Sequence, residues 1–450
     1  MTHLIRRART NRQTRGCGRV DPERRWSRPA ARHAGPCWPR RRIGRGIPSD
    51  SDATSFALTL ALLTSTAFLL FAQIFMVAPI LPALARDFGS TEGMVGLGVP
   101  AFLVPYGWTV LVWGTVSDRW GRRRVILMSL CAFVVLTIVT PLATDVGQFI
   151  ALRFVTGVAA GGVVPISVAL IGDLVPYRRR GRVLGWVFGG AAGGMAFGAA
   201  GGALGEPLVG WHGLFGVVAV GGLVLLVLGL WLVPDTAAAP HPSSVRQVAA
   251  GFAELLSTSR GRRTYGYVLV NAVLHAGVYT WLGVYLHDHV QLDEEQIGLV
   301  LLGYGIPGLV LGPAIGRLAD RYGRARVIPL GLALTAACAA VFASEPSLLF
   351  LQAAVVSLSL GYDMTQPALV VIVTDLSGQR GQAIGLNSCV LWVGMGIGSL
   401  VFQAILLPLG FSGAFAWFAG LSLLAGAVAI PLFRAERPPG GSRVSPAAPV

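Results

Sequence analysis

The chain has 450 residues, of which 54% are hydrophobic and only 13% charged, and its mean hydropathy is +0.65; this excludes an ordinary soluble protein and places it in a bilayer. Its net charge of +15 rests on 36 basic residues that are all arginine. Without a lysine there is no Walker-type phosphate loop, and a self-contained ATP-driven pump is excluded. Cys17, Cys37, Cys131, Cys338 and Cys389 show no C-x-x-C spacing and no histidines are paired, so neither a disulfide framework nor a metal site is indicated and no cofactor is expected.

Residues 1–55 come first, and within the first fifty, fourteen arginines face only Asp21, Glu23 and Asp50. So polar a stretch cannot bury enough apolar surface to fold alone and is expected to be disordered. It lacks the apolar centre of a secretory signal. Counterion release and surface potential would draw such a cluster to nucleic acid or anionic lipid. A solvated topogenic tail or a start codon placed too far upstream accounts for it more simply, and no nucleic-acid partner is expected.

A bilayer core about 30 Å thick needs roughly 20 apolar residues of helix. Twelve such windows follow, at 56–84, 93–116, 125–143, 148–173, 183–204, 210–233, 263–286, 297–317, 327–344, 347–373, 382–408 and 412–433. The arginines test this map, because short cytoplasmic loops are enriched in them. With the amino terminus inside, the inner loops carry Arg119 and Arg122 to Arg124, Arg178 to Arg180, Arg182, Arg246, Arg260, Arg262, Arg263, Arg321, Arg324, Arg326 and Arg380, with Arg317 at the inner end of span 8. The outer loops carry Asp87, Glu92, Asp145, Glu206, Asp288, Asp293, Glu294, Glu295 and Glu345, with Arg86 their only arginine. Both termini are therefore expected in the cytoplasm.

The chain also repeats itself. The segment from Gly114 through Asp118, Arg119, Gly121, Arg122 and Arg124 aligns with Gly316, Asp320, Arg321, Gly323, Arg324 and Arg326 at an offset of 202, with eight of thirteen positions identical. After span 4, Asp173, Leu174, Arg180, Gly181 and Gly185 match Asp375, Leu376, Arg380, Gly381 and Gly385 after span 10. Two matches in the same order indicate duplication. The expected fold is an all-α membrane protein of twelve transmembrane helices in two pseudo-symmetric six-helix bundles, 56–233 and 263–433, with a cytoplasmic linker at 234–262 and a disordered tail at 434–450.

On these motifs the sequence resembles the major facilitator superfamily from Ser55 to Arg434, and within it the twelve-span drug:proton antiporter branch. The family loop G-x-x-x-D-R-x-G-R-R is matched by Gly114, Asp118, Arg119, Gly121, Arg122 and Arg123, with Asp320, Arg321, Gly323 and Arg324 as its second copy. The resemblance implies a gating latch, in which Asp118 sits near the positive end of a partner helix and pairs with arginines when the cytoplasmic side is shut. A basic loop that only fixes topology explains the arginines, but not the repeated Gly and Asp.

Pro79 and Pro82 resemble the P-x-x-P closing the first helix of that branch, with Gln73 replacing the usual glycine. Arg153, Gly157 and Gly161 are similar to the superfamily's R-x-x-x-G-x-x-x-G segment, and the Gly-rich span 5 looks like the antiporter motif G-x-x-x-G-P-x-x-G-G. It departs from that motif at Ala199 and Ala203. Small residues permitting close helix packing explain these glycines under any transport direction.

Outside loops and helix ends the ionisable residues are Arg153, His275 and Asp363. A charge in the hydrocarbon is expensive unless it faces water or a partner, so a functional reading is the default. Asp363 lies about 16 residues into span 10, roughly 24 Å along it, whereas Arg153 is only about six residues, roughly 9 Å, from the outer surface. An Arg153–Asp363 ion pair is therefore not expected. Asp363 is the proton-coupling candidate, with His275 as a second that a plain packing role explains equally well. Arg153 either binds an anionic substrate or satisfies helix carbonyls. In the superfamily spans 1, 4, 7 and 10 line the cavity, which implies Gln73, Arg153, Asn271, Tyr362 and Gln366 as substrate-cavity candidates; Trp108, Trp186, Tyr304 and Trp392 are weaker ones. Gly303-Tyr-Gly305-Ile-Pro-Gly308 fits G-x-G-x-x-G but lies in an apolar span, so the dinucleotide reading fails.

The expected function is secondary active transport by alternating access, foremost proton-coupled efflux of drug-like or metabolite compounds, by a monomer in a bacterial inner membrane. An arginine-only, Ala/Gly/Val-rich composition suggests high-GC bacterial coding. The rival is an uptake symporter or facilitator for a sugar or organic anion. A polytopic membrane enzyme or sensor is the alternative of another class, although no span holds paired histidines or paired acids.

Overall fold

The computed structural model describes residues 50–235, 245–344, 346–376 and 380–436. The tail up to residue 49, with Cys17 and Cys37, and the end from residue 437 lie outside the described residues. In hydrocarbon every backbone N–H and C=O must be satisfied within the chain, and helices do this span by span. All regular structure among the described residues is helical.

Among the described residues, nine helices are long and apolar enough to cross a membrane. Two of them, 53 and 52 residues long, extend roughly 80 Å at 1.5 Å per residue, more than twice the hydrocarbon core. Each therefore supplies two crossings, and with a broken eighth span the arrangement is consistent with twelve. Span 1 is Asp50–Phe75, span 2 Gly98–Trp120 preceded by the short helix Glu92–Gly96, and span 3 Arg122–Val139. Span 4 is Val146–Ala160 continued by Val164–Leu174, and spans 5 and 6 share Tyr177–Leu232. The linker forms a helix, Val245–Ser257, before span 7, Ser259–Val284, which runs into a π turn at Tyr285–His289. Span 8 is Glu294–Leu302, a 3-10 turn at Gly303–Gly305, and Ile306–Tyr322. Span 9 is Arg324–Ala343, span 10 Leu348–Thr374, and spans 11 and 12 share Arg380–Leu432.

Five boundaries differ from the sequence reading. Span 1 begins at Asp50, inside the stretch expected to be a disordered tail, and ends at Phe75 rather than residue 84. Pro79 and Pro82 lack amide donors and disfavour helix in the residue before them, so the chain turns and restarts as Leu81–Asp87. The tail expected from residue 434 begins as an ordered 3-10 turn, Arg434–Glu436. Spans 5 and 6 are joined by a reversal at one residue, Gly210 (φ 67°, ψ 167°), and spans 11 and 12 by Gly410 (φ 65°, ψ −178°). Only glycine takes this conformation without strain.

These reversals are a third copy of the repeat, at an offset of 200. At Gly213 an added Cβ would lie 2.7 Å from the Cβ of Val209, and at Gly413 2.6 Å from that of Leu409. The duplication also recurs where spans 3 and 9 begin, on Gly121 (φ 91°) and Gly323 (φ 80°).

The glycines of span 5 pack backbone against backbone. A Cβ on Gly190, Gly194, Gly198 or Gly202 would fall within 3 Å of the carbonyl oxygen of Thr64, Phe68 or Ala72 of span 1, or of Met76 just after it, respectively. Both series advance by four residues, so the helices mesh along one ridge. Span 11 approaches span 7 in the same way at Gly394 and Gly398.

Candidate substrate and proton site

The sequence candidates separate into two clusters, one in each half. In the first, Arg153 of span 4 is fully buried. Its Nη1 donates to Gln73 Oε1 at 2.9 Å, its Nε donates to the carbonyl of Gly98 at 3.3 Å, and its guanidinium lies 4.4 Å from the centre of the Phe102 ring. The arginine thus ties span 4 to spans 1 and 2, satisfying a carbonyl, one of the two roles weighed from sequence. Arg153 Nη2 and Gln73 Nε2 have no protein partner.

The second cluster joins spans 7, 8 and 10. His275 is buried, with Tyr362 stacked on it at 4.1 Å and Tyr279 at 6.2 Å between ring centres. The Tyr304 hydroxyl is hydrogen-bonded to His275 Nε2, and its ring lies 4.4 Å from that of Tyr279. Tyr304 sits on the 3-10 turn that interrupts span 8. Asp363 accepts a hydrogen bond from the Ser359 hydroxyl at 3.2 Å and lies within electrostatic reach of Tyr304 and Tyr362. Nearby, Thr365 donates to Asn271 Oδ1 at 2.8 Å, and Asn271 Nδ2 donates to Gln366 Oε1 at 3.4 Å. His275 Nδ1, the Tyr279 hydroxyl and Gln366 Nε2 are buried without a partner, which leaves donors and an acceptor for a ligand.

Aromatic rings lie between the clusters. Phe75 is 5.7 Å from Tyr279, and Trp392 of span 11 is 5.2 Å from Phe71 and 5.3 Å from Tyr106. No ion pair joins Arg153 to Asp363 among the described residues. Sequence reasoning ranked Tyr304 too low and missed Ser359 and Thr365. The signal for Tyr304 was its two flanking glycines, which mark a helix break; that for Ser359 was its place one turn before Asp363.

The repeated motif makes its ion pairs inside its own half. Arg122 Nη1 is 2.6 Å from Asp118 Oδ1, and its Nε is 3.2 Å from Asp173 Oδ2. The second copy repeats the latter contact, with Arg324 3.6 Å from Asp375. In both halves the motif arginine thus ties the end of span 4 or 10 to the start of span 3 or 9. Asp320 is not among the described side chains.

The two halves meet at the acid-rich face. Gln403 Nε2 donates to the Gly93 carbonyl at 2.8 Å, Glu92 lies within electrostatic reach of Asp288, and Trp281, Pro79 and Leu204 close on Gly96, Gly283 and Gly298. At the arginine-rich end, Gly114, Gly185, Gly189 and Gly381 have nothing within 4 Å of an added Cβ.

Arg153→Lys should lower stability by roughly 2 to 3 kcal/mol, because an ammonium cannot fork between Gln73 and Gly98. Thermal unfolding in detergent reads this. Unchanged transport per folded molecule is expected of a residue that positions spans 1 and 2; weakened substrate binding at unchanged stability would make it a binding group instead.

A duplicated helical bundle with a sparse polar centre and one sealed face is the architecture of a membrane carrier. The model of the Major Facilitator Superfamily matches residues 63–293 and 268–449, and the chain belongs to that family. It is 27% identical to the uncharacterized MFS-type transporter YwfA of Bacillus subtilis, over 79% of this chain and 88% of the relative. It is 25% identical to the quinolone resistance protein NorA of Staphylococcus aureus, over 75% of this chain and 87% of the relative. The fold is also similar to the solved nucleoside transporter NupG, with a TM-score of 0.70, 13% identity and coverage of 84% of this chain and 100% of that one. The protein is a multi-pass membrane transporter of small molecules, not an enzyme.

Proposed function

We propose that the protein exports small, partly apolar compounds in exchange for protons, as a monomer in a bacterial inner membrane with its arginine-rich face and both termini in the cytoplasm. The observation that carries this reading is Asp363, a carboxylate inside a membrane span beside Ser359, Tyr304 and Tyr362, in the same half as the unpartnered His275 Nδ1, Tyr279 hydroxyl and Gln366 Nε2. An acid so placed is stable in lipid when it holds a proton or faces an opposite charge. It can therefore exchange one for the other.

In this orientation the seam at the acid-rich face serves as the outer gate, and the carrier alternates between closing there and closing at the arginine-rich end. Substrate enters from the cytoplasm against the tyrosines and His275, and Asp363 gives up its proton there. After the halves rock, Asp363 takes a proton from outside and substrate leaves. The aromatic lining suits planar apolar compounds, in keeping with the quinolone resistance of one relative.

Everted vesicles acidified inside test the reading. A fluorescent aromatic substrate should accumulate while the gradient lasts and leave when it is collapsed. Accumulation only under the reversed gradient would make the protein an uptake symporter. Expression in a strain without its own exporters, grown across a panel of toxic compounds, identifies the substrate.

A further inference from the structure

Span 7 begins at Ser259 and span 12 ends at Leu432, and between them opens a cleft of about 490 Å³ lined by Ser259, Arg260, Arg263, Leu432, Ala435 and Glu436. We propose that this cleft binds the phosphate of an anionic lipid headgroup, and that Glu436 is its resident stand-in.

The geometry is that of an anion site already filled from within the chain. Arg260 Nε and Nη2 donate to the two Glu436 oxygens at 2.8 Å each, and Arg263 Nη2 donates to Glu436 Oε1 at 2.8 Å. The Glu436 side chain is 7% exposed, and the pairing with Arg260 and then Arg263 holds its carboxyl below the usual range. Arg263 is fixed in turn, because its Nη1 donates to the Leu432 carbonyl and its guanidinium lies 4.7 Å from the ring of buried Phe433.

A carboxylate fits this site incompletely. Two guanidinium groups meet one negative charge, and Arg260 Nη1 and the Ser259 hydroxyl are not engaged by Glu436. Arg262 and Arg434 add positive charge nearby, whereas Asp375, within electrostatic reach of Arg260, and Glu254 oppose it. A phosphate offers more acceptor oxygens, disposed to receive two arginine forks. The cleft lies where two spans leave the membrane, and Leu432, 40% exposed, provides an apolar edge for an acyl chain. A phosphate at that depth belongs to a lipid.

The duplication makes the feature specific to one half. At the offset of 200 that relates spans 6 and 12, the counterpart of Leu432 is Leu232, whose carbonyl accepts from the Thr59 hydroxyl at 2.7 Å and not from an arginine. At the same offset the counterparts of Arg260, Arg263 and Glu436 are Leu60, Leu63 and Thr236, so the first half repeats neither the arginines nor the acid at these positions. Lipid binding then displaces Glu436 and releases the turn after span 12.

The test uses the full chain in detergent micelles, where the direction of transport plays no part, so its failure leaves the proposed function standing. Phosphatidylglycerol should raise the melting temperature and remain bound in native mass spectra, whereas phosphatidylcholine should not. Glu436→Gln should reach the same shift at about fivefold lower phosphatidylglycerol, because the internal competitor is gone, and Arg260→Gln should lose most of the shift. Native mass spectra count lipid on folded molecules only, which separates binding from misfolding. Equal lipid retention by the Arg260→Gln variant and the unaltered protein would overturn the site. A weaker response of Glu436→Gln would overturn the stand-in role. An equal shift from millimolar inorganic phosphate would overturn the lipid as ligand.

Discussion

Asp363→Asn should abolish proton-driven accumulation while leaving the carrier folded and able to exchange substrate down a gradient. The side chains are nearly the same size and the amide still accepts from Ser359, so packing around Tyr362 and Tyr304 is retained. Only the ability to hold a proton is lost. A gradient of one pH unit is worth about 1.4 kcal/mol per proton, which sustains about a tenfold accumulation in a carrier coupled to one proton. For the variant the steady-state ratio across everted vesicles should fall to one, with substrate exchange in the absence of a gradient unchanged. Full accumulation by the variant would remove Asp363 from the coupling step. His275→Gln, which keeps a polar partner for Tyr304, should leave the ratio intact if the imidazole only packs and orients.

Gly194→Leu should prevent folding or lower stability by on the order of 3 kcal/mol or more, the upper end of overpacking penalties. Its Cβ would fall within 3 Å of the carbonyl oxygen and carbonyl carbon of Phe68, which are backbone atoms held by the rest of span 1. No rotamer change relieves such a clash. Gly189→Leu, less than two turns earlier on a face where nothing lies within 4 Å, is the control. It should be neutral or slightly stabilising, because glycine is a poor helix former. Thermal unfolding in detergent together with membrane yield gives both values. Equal behaviour of the two variants would mean that the meshed ridge does not set stability.

The fold was legible in the sequence because lipid imposes few rules and the chain follows them openly. Apolar windows of bilayer length, arginines sorted to alternate loops and the copied Gly114 to Arg124 segment implied a duplicated bundle. The reversals at Gly210 and Gly410 were not legible as such, because a lone glycine in a glycine-rich helix carries no mark of its φ angle. The end of span 1 at Phe75 was misread because hydropathy continues past the prolines that break the helix. For the site, composition singled out Arg153, His275 and Asp363 as costly residues, but not their grouping. That depends on the turn at Gly303–Gly305, which brings Tyr304 to His275, and on Gln73 lying across from Arg153.

The glycine ridge between spans 1 and 5 also bears on how the two copies share the work of rocking. With their main chains in contact over about three helical turns, these rods should behave as one stiff beam, whereas among the described residues spans 7 and 11 touch so closely at Gly277, Gly394 and Gly398, next to a span already fractured at Tyr304. The ancestral duplication has thus produced mechanically unequal arms. Spin labels placed within the first arm should keep their separations through the transport cycle, and those within the second should not.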